Sequence, residues 1–82
     1  MKKLKDTIEL MTSLCYKDRF RAEVFQLQIR IKSLEKMLSD WSAGTLAFQP
    51  TCSYEMLNEQ LNVMKKYEQI LIDRAQLEGI QL

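Results

Sequence analysis

Tyr16, Lys17, Arg19 and Arg21 fall within about two helical turns, and Arg30 and Lys32 follow further along the same stretch. An aromatic ring beside cations offers what a nucleotide needs: a face for base stacking and donors for phosphate. Between Lys17 and Lys36 there are six basic residues and three acidic ones, a local positive excess. The same letters describe a solvated helix face with Tyr16 at its edge, and spacing alone leaves both readings open. Gln60 and Arg74 form a second pair of polar residues, at heptad positions where leucine would be most stabilising. A buried guanidinium must find a carboxylate, a carbonyl or an anionic ligand. Arg74 therefore either pairs within the fold, with Gln60 fixing register, or borders a ligand site.

The chain has no histidine and only two cysteines, Cys15 and Cys52, set far apart. A structural zinc needs about four ligands in paired spacing, so neither a metal nor another cofactor is expected. The thiols are read as reduced and partly buried. No nucleophile–base pair stands out, so the expectation is binding without bond breaking, and no enzyme.

Two ladders must position these groups. Phe20, Val24, Leu27, Ile31, Leu34, Leu38 and Trp41 recur by alternating fours and threes, the mark of a long helix zipped against a partner. Leu57, Gln60, Met64, Tyr67, Leu71 and Arg74 repeat that pitch, which predicts a partner helix with a compromised seam. Gly44, Pro50 and Gly79 all fall outside the two segments, as helix breakers should.

The predicted fold is all-α: an antiparallel two-helix hairpin over residues 13–82 behind an N-terminal arm at 1–12. The first helix is expected at about 14–41, with Ser13 as its N-cap and Asp18 in its first turn. The connector is 42–52, with Leu46 and Phe48 turned back against the rods. The second helix is expected at about 53–78, from Ser53 to near Gly79. Leu4, Ile8 and Met11 give the arm a short helical turn.

At 82 residues the chain is one small domain, near the lower limit for folding alone. Apolar residues exceed what one hairpin hides. Met56, Val63, Ile70 and Leu77 form a second line on the second helix, and Cys15, Ala22 and Ile29 one on the first, with Phe25 off the seam. The surplus predicts a homo-oligomer, with Phe25, Met56, Val63, Ile70 and Leu77 between copies. Twelve basic residues against eleven acidic ones argue against a DNA or RNA coat. No segment approaches the ~20 apolar residues of a membrane span, and the first dozen residues carry no signal-peptide core. A cytoplasmic protein is expected.

The pattern Tyr16-Lys17-Asp18-Arg19-Phe20-x-x-Glu23, an apolar ladder, then Leu57-x-x-Gln60-x-x-x-Met64-x-x-Tyr67-x-x-Ile70-Leu71-x-x-Arg74 resembles a family of small phage proteins. These are the helical hairpin sponges of the anti-CBASS and anti-Thoeris type, and the likeness spans about Tyr16 to Arg74. It implies a homo-oligomer, typically a hexamer, made in the bacterial host cytoplasm. Such a protein captures cyclic di- or trinucleotide messengers between protomers without cleaving them. Carried over residue by residue, the resemblance gives base stacking to Tyr16 and, to within about a residue, phosphate contact to Lys32. Gln60 and Arg74 match its second-helix pattern, while Lys17 and Arg19 join the candidate set as cations beside Tyr16. The alternative is a helical module that grips another protein through Met56, Val63, Ile70 and Leu77.

Overall fold

The computed structural model of the chain describes residues 3–82. Met1 and Lys2, the start of the expected arm, lie outside the described residues. A 3₁₀ turn at Leu4–Thr7 leads into the short helix α1 (Ile8–Met11); the long helices α2 (Tyr16–Ser42) and α3 (Tyr54–Glu78) follow. The molecule measures 43 × 24 × 17 Å, the longest dimension being close to that of one ~27-residue rod.

α2 and α3 run antiparallel. Near one end Tyr16 meets Glu78 and Arg21 reaches the Gln81 carbonyl, and in the middle Lys65 pairs with Glu35 at 2.9 Å. At the other end the rings of Trp41 and Tyr54 meet edge to face at 5.5 Å. Phe20, Val24, Leu27, Ile31 and Leu38 are buried along α2, with Leu34 and Trp41 partly so, as the first ladder predicts.

The second ladder divides between two faces. Leu57, Met64 and Leu71 join the seam, where buried Leu61 and Ala75 complete it. Gln60, Tyr67 and Arg74 point outward and are exposed. The predicted seam with two buried polar residues is thus corrected: a four-three repeat fixes a helical pitch but not which neighbouring stripe faces inward.

The helix ends follow local chemistry. Ser53 caps α3 by accepting from the Met56 amide at 3.2 Å. Gly44 and Gly79 adopt φ of +73° and +68°, the left-handed conformation that closes a helix. After Gly79 the Ile80 amide donates to the Ala75 carbonyl at 2.8 Å, and both side chains are buried. The start of α2 departs from expectation. Its N-cap is Cys15, with no side-chain cap bond, while Ser13 accepts from the Cys15 amide at 3.0 Å and donates to Asp18 at 2.9 Å. Ser13 therefore shapes the turn before the helix. Cys15 and Cys52 are both exposed, as is Phe48, whereas Leu46 is half-buried. Cys52 and Phe48 lie on the connector between the rod ends, where little surface stands around them to enclose them, and Cys15 lies in the turn before α2.

The arm packs against α2. Thr7 is fully buried, and its hydroxyl accepts from Gln26 Nε2 at 2.8 Å while donating to the Leu4 carbonyl at 2.7 Å. Ala22 is buried and Ile29 half-buried within one chain. Of that line on α2, expected against other copies, Ala22 and Ile29 are thus covered within the chain, while Cys15 is exposed. Phe25 is half-buried against the core of its own chain.

Candidate functional site

The antiparallel pairing brings the first turn of α2 against the last turn of α3. Tyr16, at the start of one rod, and Arg74, near the end of the other, meet there although 58 residues apart in sequence. The Tyr16 hydroxyl donates to Glu78 Oε1 at 2.7 Å and accepts from Arg74 Nη2 at 3.1 Å. Arg74 Nε donates to Glu78 Oε2 at 3.2 Å, closing a three-membered ring of polar contacts. Beneath it lies buried Phe20. The guanidinium carbon stands 5.0 Å from that ring's centre, and Tyr16 meets the same ring edge-on with centroids 6.2 Å apart. Phe20 thus forms an apolar floor that holds the guanidinium plane through its quadrupole.

The charge states follow from this geometry. The bond to Glu78 raises the Tyr16 hydroxyl above its ordinary pKa, since phenolate would face a carboxylate. The Tyr16 hydroxyl, and after it Arg74, holds the Glu78 carboxyl below its usual range. Glu78 likewise raises Arg74 further. At neutral pH the cluster therefore holds a neutral phenol, a guanidinium and a carboxylate. Its net charge is zero, and an incoming anion must compete with Glu78 for the arginine fork.

Glu78 is absent from the sequence-level set, yet it stands four residues after Arg74, the spacing at which opposite charges meet on a helix. Lys17 is exposed beside Tyr16. Arg19 Nη1 donates to the Ser13 carbonyl at 2.8 Å, which ties it to the turn before α2. Arg21 bridges Asp18, at 3.1 Å, and the Gln81 carbonyl, at 2.6 Å.

Lys32 and Gln60 lie elsewhere. Lys32 is about 24 Å further along α2 than Tyr16. It borders a groove of ≈ 490 Å³ with Gln28, Glu35, Lys65 and Glu68, where acids and bases balance. Gln60 sits toward the opposite end of α3, 3.8 Å from the Met64 sulfur and beside Met56 and Val63. One chain therefore assembles the Tyr16–Arg74 part of the candidate site and leaves Lys32 and Gln60 apart from it.

Met56, Val63, Ile70 and Leu77 are each more than half exposed. Midway along, the Tyr67 hydroxyl donates to Glu23 and steadies that side of the hairpin. Among the described residues no group of three or more His, Cys, Asp or Glu side chains is placed to hold a metal ion. No helix among them is long and apolar enough to cross a membrane.

The family model described as Sequestin matches residues 15–77, which include both long helices but for the last residue of α3. No curated protein and no solved structure matches the chain.

Proposed function

This chain belongs to the Sequestin family, a family of sequestering proteins, and from that premise we propose that it captures cyclic oligonucleotide messengers without cleaving them. In this reading it is a phage-encoded anti-defence protein of the anti-CBASS or anti-Thoeris type, acting in the cytoplasm of the bacterial host. It works as a homo-oligomer, with a hexamer favoured by the resemblance, and needs no cofactor. The observation that carries the reading is the convergence of Tyr16 and Arg74 over Phe20. A base stacks on the exposed ring of Tyr16, and a phosphodiester takes the arginine fork from Glu78.

Capture without turnover agrees with the chemistry of these groups. Tyr16 is a neutral phenol at neutral pH, as tyrosine ordinarily is, and Glu78 pushes it further from phenolate, so it serves as a hydrogen-bond donor and not as a nucleophile. Lys17 and Arg19 add positive field at the same end of the rod. Lys32 and Gln60, apart within one chain, enter the site only if a second protomer carries them there.

Calorimetry against a panel of cyclic di- and trinucleotides tests this, followed by heat release and chromatography of the ligand. Binding with intact ligand recovered is the expected result. No binding to any member, or recovery of cleaved product, overturns it.

The exposed Met56–Leu77 line favours a second reading, an adaptor that grips another protein through α3. A monomer that binds no nucleotide would support that reading instead.

A further inference from the structure

The outward residues of α3 form a ladder of their own. From Met56 the steps to Gln60, Val63, Tyr67, Ile70, Arg74 and Leu77 run four, three, four, three, four, three, and every member is exposed. The stripe lies roughly 120° around α3 from the hairpin seam. A regular four-three repeat is complementary to another helix, since its side chains fall into the holes of a matching row. We infer that this stripe is a self-pairing seam: α3 of one copy lies antiparallel to α3 of a second copy across a two-fold axis. The inference rests on the self-association in the proposed function and adds its surface and direction.

Charge selects the direction. In a parallel pair Arg74 would share a layer with the partner's Arg74, two like charges in contact. The flank of the stripe carries Glu59, Lys66 and Asp73, alternating in sign every seven residues. Antiparallel pairing sets the two flanks side by side, and one register joins Lys66 to the partner's Asp73 twice. That register places Tyr67 against the partner's Ile70, Val63 against the partner's Arg74, and Gln60 against the partner's Leu77. Arg74 tolerates an apolar neighbour because its charge is already met by Glu78 and Tyr16 of its own chain. Tyr67 is held ready by its bond to Glu23.

The test uses the full chain with Cys15 and Cys52 replaced by serine, both being exposed. Gln60→Cys and Leu77→Cys proteins are mixed and treated with a short bis-maleimide, beside each protein alone. Antiparallel pairing predicts a mixed cross-link at least tenfold above either self cross-link, because like positions at 77 stand about 25 Å apart in this register. Efficient self-linking of Leu77→Cys, or no linking in an assembled protein, overturns the pairing and leaves self-association standing. A monomer by light scattering at 100 µM overturns both. As a second measurement, Ile70→Glu is expected to shift the assembly to smaller species with helicity unchanged; an unchanged mass counts against the seam.

Discussion

Arg74 Nη2 donates to the hydroxyl of Tyr16 at 3.1 Å, while Glu78 takes both the hydroxyl proton of Tyr16 and the Nε–H of Arg74. An aromatic face and a cation are thereby locked together by an acid that resembles a phosphate in charge. The cluster holds its cationic group with its own side-chain anion.

Replacing Tyr16 separates its two roles. Tyr16→Phe keeps the stacking face and loses the hydroxyl, so messenger affinity by calorimetry should stay within about fivefold of the native value. Tyr16→Ala removes the face, worth about 1–3 kcal/mol per stacked base, and should reduce affinity by at least tenfold. Helicity should be native in both. Loss of fold in Tyr16→Ala would mark the ring as structural instead.

Glu78→Gln removes the competing charge and keeps the side chain's shape. Exposed ion pairs are worth little, so a gain of about two- to fivefold in affinity for an anionic messenger is expected. Weaker binding would show that Glu78 serves to orient Arg74.

The pH profile of stability carries the same signature. Glu78 titrates lower when folded than when unfolded, so its contribution is present above the unfolded value of 4.5 and is lost as pH falls through the folded one. Tyr16 is raised, so its contribution is present below 10.0 and fades as pH climbs past that value. Urea midpoints should show a plateau from about pH 5 to 9 with a decline on either side. Glu78→Gln should flatten both flanks; a profile identical to the native one would exclude the cluster as their source.

Ile31 lies buried in the middle of the seam, and Ile31→Asp should cost several kcal/mol by placing an unpartnered charge there. Circular dichroism should show loss of helix at 25 °C. Gly79→Ala meets no neighbouring atom but forces a left-handed alanine, so a milder loss of about 1–2 kcal/mol is expected by urea denaturation.

The hairpin was legible because the first ladder has one interpretation: its seven apolar positions all turn inward. The second ladder did not, since Leu57 and Gln60 sit three apart and stand on adjoining stripes. Deciding between stripes takes Leu61 and Ala75, whose apolar character marks the inner side. The meeting of Tyr16 with Arg74 follows from antiparallel rods of similar length, which makes one rod's start the other's end. Glu78 was readable as an acid four residues after Arg74. The arm's short helical turn was readable from Leu4, Ile8 and Met11, but its anchorage on α2 was not, since the anchor is buried Thr7 bonded to Gln26 and neither letter signals burial.

The arm also bears on valency. By lying along α2 it covers one flank of that rod and leaves the outer stripe of α3 open. If the inferred α3 seam forms, one such edge per protomer closes an assembly at two. A larger closed ring would have to recruit further apolar surface, and Ile8, Met11 and the fully exposed Leu14 of the arm offer it.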